Sequence, residues 1–270
     1  MTDVERRDYW AQSMDQAYDF MKHASDAPVH ECLEKLVYLP NVVKEASVEV
    51  TFSDKPHVEN LPRLYYLREG LIETFLKIAA EMNTRGWVLH IEDAYRTMEM
   101  QKHLARQPYI FNVVLQRCRW ELDDEDVPEQ LLYKRMAALI ASWPKVGTHM
   151  SGSAIDVSIY NRADSKEIDR GGDYMELSEL TPMDSPFISE TARQNREEIT
   201  RIFVDQGFVT YPFEFWHYNS GDVYDSIINN RDARYGAIDW DLNTGKVNPV
   251  EDPYTPLNSE MDFGEMGKHG

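Results

Sequence analysis

The chain has 270 residues, with 28 lysines and arginines against 47 aspartates and glutamates, a formal net charge of −19. So acidic a surface repels nucleic-acid phosphates and anionic membranes, and no window reaches the roughly 18 apolar residues of a membrane span. The length suits one large domain, or one domain with appendages.

In chain order, Met1 to Trp10 carries charges where a secretion signal needs a continuous apolar stretch. A cytoplasmic location is therefore expected, or a periplasmic or secreted one if a leader has been trimmed. Residues 3–24 form an amphipathic pattern with Tyr9, Trp10, Met14, Tyr18 and Met21 on the packing face. The repeat through Leu64, Leu67, Leu71, Phe75, Ile78 and Ala79 predicts a helix over 61–82, stopping near Gly86. Gly86 to Asp93 alternates like a strand. Residues 97–119 and 128–142 read as two further helices around an acidic run, 121–126, expected to be a solvated loop. Ala154 to Ile159 is a strand-like apolar run. Ser189 to Gln206 predicts a helix ended by Gly207, with Thr191, Arg193, Arg196 and Glu197 toward water, and Phe208 to Tyr211 a strand. From 243 on, Asn, Pro, Gly and Asp dominate, so 1–242 is expected to be a single domain with its motifs in 86–219, and 243–270 a tail that crosses the surface or stays mobile, His269 in its disordered end. Cys32 and Cys118 are far apart and outside any metal-ligand spacing, which suggests reduced, partly buried thiols.

Chemistry concentrates in two stretches. His149-Met-Ser-Gly-Ser-Ala-Ile-Asp156 and Glu214-Phe-Trp-His217 together supply two imidazoles, one carboxylate and a spare glutamate. These are the parts of a hydrolytic zinc site, one ion per chain, in which three protein ligands leave the fourth tetrahedral corner to water. Such a water loses a proton near neutral pH, and Glu214 is close enough to His217 in the chain to take it. A single histidine is weak grounds for a metal, but the conjunction is not. Alternation puts Asp156 on one strand face with Ala154 and Ser158, and Ile155, Val157 and Ile159 on the other, which also suits an outward-facing aspartate. Glu214 and His217, three apart, can share a metal only if the chain bends between them. Arg96 follows the predicted strand at a strand-to-helix corner, where a guanidinium can stabilise an oxyanion or merely pair with a surface acid. Other signals fail. His30-Glu31-Cys-Leu-Glu34 lacks the second histidine of a zinc helix, the serines around Gly152 lack a nucleophile-elbow context, and no glycine-rich phosphate loop occurs.

The order Asp93-Ala-Tyr-Arg96, then His149 to Asp156, then Glu214 to His217 resembles the zinc D-alanyl-D-alanine dipeptidases of the VanX type, within the wider group that includes VanY-like carboxypeptidases. The resemblance covers about positions 86–219. It implies an α+β fold of the Hedgehog/DD-peptidase-like kind, with helices packed around a small, mainly antiparallel sheet and the metal at the sheet's edge or floor. It further implies His149, Asp156 and His217 as zinc ligands, Glu214 as catalytic base and Arg96 as transition-state stabiliser. Thr181-Pro-Met-Asp184 is similar to a family element whose aspartate holds the substrate's amino group, so Asp184 and Thr148 are candidate substrate contacts, and Asp93 a candidate to orient a ligand imidazole. Gly147 and Thr97 depart from the family pattern of serine and proline at those places. The acidic surface disfavours an anionic wall polymer and favours a small peptide. Two other readings remain: a zinc D,D-carboxypeptidase or L,D-endopeptidase acting on peptidoglycan peptides, and a non-catalytic zinc- or peptide-binding module.

Overall fold

In the computed structural model, which describes residues 2–56, 58, 61–124 and 126–267, the chain starts with a capped helix, α1 (Asp3–Asp26). Thr2 accepts a hydrogen bond from the Glu5 amide while the Glu5 carboxylate accepts from the Thr2 amide, so two otherwise orphaned donors are satisfied. Trp10, Met14, Ala17, Met21 and Ala24 recur at helical spacing and are buried. Next come β1 (Leu36–Tyr38), α2 (Leu39–Ala46) and β2 (Val50–Phe52).

The helix expected over 61–82 is shorter than its leucine spacing suggests. Tyr66–Arg68 is a strand, β3, paired antiparallel with β1, and α3 spans only Ile72–Thr84. The reason lies in Arg68. Its buried guanidinium donates to both Glu31 carboxylate oxygens and to the carbonyls of Glu34, Ser151 and Gly236. A buried arginine must place nearly all its donors, and this extended position reaches all five acceptors.

The strand β4 (Trp87–Asp93) leads to α4 (Met98–Leu104) and α5 (Pro108–Leu122), where one helix was expected. Pro108 explains the break, because it forces extended backbone on Gln107 and starts α5 afresh. Glu121 is also not in a solvated loop. It lies in α5 and pairs, at 2.5 Å, with buried Arg135 of α6 (Glu129–Leu139).

The remaining elements are β5 (Ala154–Asn161), α7 (Glu190–Asp205), β6 (Val209–Thr210), β7 (His217–Asn219), α8 (Val223–Asn229), β8 (Ile238–Trp240), β9 (Val247–Pro249) and α9 (Glu260–Gly267). The main sheet runs β2-β4-β5-β7-β6 and is antiparallel except between β2 and β4. It is thus the mainly antiparallel sheet of an α+β fold. One face, with Leu89, Ile91, Ile155, Val157, Ile159 and Tyr218, packs on α3 and α7. The other face carries Asp156, Ser158, His217 and Asn219, all buried.

Arg196 of α7 departs from the water-facing expectation. It is buried, donates to the carbonyls of Arg170, Leu180 and Pro182, and stacks on Phe215 at 4.2 Å. It ties the 170–183 loop to the helix. The C-terminal residues pack as well: β9 pairs with β8, and Phe263 of α9 is fully buried beside Phe111 and Tyr133. His269 lies outside the described residues. Cys118 is buried and Cys32 exposed rather than partly buried, both without a disulfide. Among the described residues no helix is long and apolar enough to cross a membrane.

Asp222 caps α8 by accepting from the amides of Tyr224 and Asp225, and also accepts from Ser153 Oγ and Asn219. Burial, outweighing these bonds, pushes its carboxyl up to about 6 from 3.8. Between those values the folded state holds the proton that the unfolded state releases, so this group's contribution to stability falls as pH rises from about 4 to 6. Asp222→Asn keeps an N-cap acceptor and removes that titration. The melting temperature of the variant relative to wild type is therefore expected to rise from pH 4 to pH 7, and a constant difference would refute this.

Candidate metal centre

Three acidic or basic side chains from two neighbouring strands and the loop before them meet over the middle of the sheet. Asp156 is on the central strand β5, directly opposite His217 on β7, and His149 lies in the turn leading into β5. The centre therefore stands on the sheet's floor rather than its edge. Opposite-face packing of Ile155 and Val157 fixes Asp156 on this side. Gly152 shapes the approach: its φ is +69°, and a Cβ there would stand 2.5 Å from Leu36.

The three facing atoms form a small triangle. His149 Nε2 is 3.2 Å from Asp156 Oδ1 and 3.2 Å from His217 Nδ1, and the latter is 3.0 Å from Asp156 Oδ1. Tetrahedral ligands about 2.0–2.1 Å from zinc stand roughly 3.3 Å apart, so the triangle has the size of such a site. Its protonation is partly forced. His149 Nδ1 lies 2.5 Å from the Ala94 carbonyl, which can only accept, so in the neutral ring the lone pair is on Nε2 and faces the triangle. His217 turns its other nitrogen, Nε2, to Thr148 Oγ1 at 3.0 Å. Two imidazole nitrogens and a carboxylate oxygen converging without a protein cation between them form a donor set suited to a divalent ion. Among the described residues this is the one such group.

The outer oxygen of Asp156 is occupied. Arg96 Nη2 and the Tyr174 hydroxyl both donate to Oδ2 at 3.1 Å, which leaves Oδ1 alone to face the histidines. For His217 burial dominates and pushes the imidazole down to about 4, toward the neutral form that binds metal.

Arg96 occupies the corner between β4 and α4 and is buried. Its Nε donates to Asp93 at 2.5 Å and Nη1 to Gln101 at 3.2 Å, while its amide donates to the His149 carbonyl. A bulge between Ile91 and Asp93 brings Asp93 opposite Asp156. Asp93 thus engages Arg96 and, at 3.7 Å, Arg63, whereas the imidazole of His149 is oriented by the neighbouring carbonyl of Ala94. Glu214 reaches the same space because residues 212–216 turn before β7 begins, which supplies the bend between Glu214 and His217. Burial, and then the Asp156 charge, push its carboxyl well above the usual range.

His149, Asp156, His217, Arg96 and Glu214 line a cavity of about 40 Å³ together with Gln101, Met21, Met175, Tyr211, Trp216 and Tyr224. At about 10–15 Å³ for each water, that is room for three or so molecules, far below the roughly 300 Å³ at which drug-sized pockets begin. Thr148 is at the wall. Asp184 is not: it is exposed, accepts from the Tyr9 hydroxyl at 3.2 Å, and is absent from the cavity lining. Tyr174, Gln101 and Met21 carried no chemical signal in the sequence, since each is an ordinary packing residue until the fold places it.

Comparison with known proteins follows the same outline. The family model Peptidase_M15, D-ala-D-ala dipeptidase, matches residues 62–234. The D-alanyl-D-alanine dipeptidase of Enterococcus faecium is 31% identical over 159 residues, 55% of this chain and 69% of that protein. The enzyme of the same name from Enterococcus faecalis is 30% identical over 71 residues, 26% of this chain and only 35% of that protein. Among solved structures, the LdcB LD-carboxypeptidase shares 17% identity with a TM-score of 0.37, over 74% of this chain and 75% of that one.

Proposed function

The chain belongs to the Peptidase_M15 family of D-Ala-D-Ala dipeptidases and is a metallopeptidase, and from that premise we propose that it hydrolyses a small D-Ala-D-Ala-type peptide at one zinc ion held by His149, Asp156 and His217. The observation that carries this reading is the triangle of converging ligand atoms with 3.0–3.2 Å edges. Zinc bound there supplies Lewis acidity and lowers the pKa of water at its open position.

The chain's own residues do the rest. Glu214, at the cavity wall, accepts the proton of the attacking water and returns it to the departing amine. A carboxyl raised by burial suits a group that must both take and give a proton. Arg96 borders the cavity and keeps one hydrogen on each Nη beyond its bonds to Asp93, Asp156 and Gln101, and these stabilise negative charge on the scissile carbonyl oxygen. Met21, Met175, Trp216 and Tyr224 exclude water from the reacting bond. Any peptide enters only if the wall opens, and a dipeptide needs less of that opening than a long peptide does, which favours the shorter substrate.

Metal analysis of the purified chain, paired with a panel of D- and L-dipeptides and a longer muropeptide, tests the reading. One zinc per chain and turnover of D-Ala-D-Ala are expected. Turnover of the muropeptide alone would overturn the substrate, and absence of stoichiometric metal would overturn the centre.

A further inference from the structure

We infer that Thr148 is a positioning residue for His217, selecting the imidazole tautomer that turns its Nδ1 lone pair into the metal triangle. The inference rests on the zinc reading above. His217 uses Nδ1 inward and Nε2 outward, the reverse of His149. For His149 a backbone carbonyl dictates the outer proton, but no carbonyl faces the outer nitrogen of His217; a hydroxyl does. A hydroxyl can donate as well as accept, so it enforces the tautomer only if its own proton goes elsewhere.

The surroundings provide for that. Among the described residues, His217 Nε2 is the one hydrogen-bond partner of Thr148 Oγ1, and Thr148 borders the cavity. Its O–H is therefore available to water or substrate in the cavity while its oxygen accepts from Nε2–H. The backbone beneath is held still: the Thr148 carbonyl accepts from Ser151 Oγ at 2.7 Å and from the Ser153 amide at 3.4 Å, and the Ser153 hydroxyl donates to Asp222 at 2.5 Å. Thr148 is buried, which keeps bulk solvent from the imidazole proton. Outer hydrogen bonds of this kind orient a ligand ring and raise its basicity.

Zinc affinity of the full chain, measured by competition with a chromophoric chelator, is the test. Thr148→Val removes the hydroxyl at nearly constant volume and is expected to weaken zinc about 10- to 100-fold. Thr148→Ser should stay close to wild type, and Ser151→Ala, which loosens the same turn while the Ser153 amide still holds the Thr148 carbonyl, should weaken zinc far less than Thr148→Val. Thr148→Ala repeats the measurement if the valine variant fails to fold. An affinity within twofold of wild type in the valine or alanine variant overturns the inference, as does equal weakening by Ser151→Ala. A wild-type chain that takes no zinc would instead sink the metal reading itself, and this inference with it.

Discussion

Glu214→Gln is expected to lower kcat for dipeptide hydrolysis by about a hundred- to ten-thousand-fold, the range that a positioned proton-transfer group supplies. Zinc should remain at one per chain in that variant. The two expectations separate because Glu214 lines the cavity but is not one of the three residues whose ligand atoms converge. Glutamine preserves the side chain's shape and its bend before β7, so loss of turnover would report the missing carboxylate rather than a displaced His217. Single-turnover kinetics with metal content measured on the same sample decide the matter. Turnover within a few-fold of wild type would remove Glu214 from the mechanism.

Arg96→Ala is expected to have two effects with different origins. Loss of the donors to the carbonyl oxygen should cost about a hundred- to a thousand-fold in kcat. Loss of the cation should also destabilise the metal-free protein, by up to about 3–5 kcal/mol for a broken buried ion pair. Asp156 and Asp93 are both buried and both accept from this guanidinium, and among the described residues Asp93 alone of the two has a second arginine, Arg63, at 3.7 Å. Zinc should restore part of the stability, because a cation on Asp156 compensates the charge that Arg96 leaves behind. Arg96→Lys should recover stability better than turnover, since an ammonium restores charge but not the planar fork that spans Asp93, Asp156 and Gln101. Melting curves with and without zinc, beside kcat, separate these effects. A variant with wild-type kcat would show that Arg96 only holds Asp156.

The proposed metal ligands stood out in the chain because ligand chemistry resides in residue types, and His149, Asp156, Glu214 and His217 stand in short motifs. The strand over 87–93 and the corner carrying Arg96 were legible from alternation followed by charge. Other features were not. The leucine spacing of 61–71 suits a helix, yet pairing with β1 and the five-acceptor burial of Arg68 outweigh it. Arg196 looked like a solvated helix face, but three backbone carbonyls and the Phe215 ring claim it.

What the amino-acid order determined by itself was which residue types of suitable chemistry stand in the motifs, and that Asp156 shares a strand face with Ser158. Only the tertiary structure decided that this face is the covered one, that residues 212–216 turn Glu214 toward the triad, and that Asp184 stays outside. It also decided which groups hold the outer atoms of the ligands: the Ala94 carbonyl for His149, Thr148 for His217, and Arg96 with Tyr174 for Asp156. The physical reason is that a side chain's donor and acceptor types are local properties. Its burial, orientation and tautomer depend on partners distant in the chain, 69 residues for Thr148 and His217 and 168 for Arg68 and Gly236.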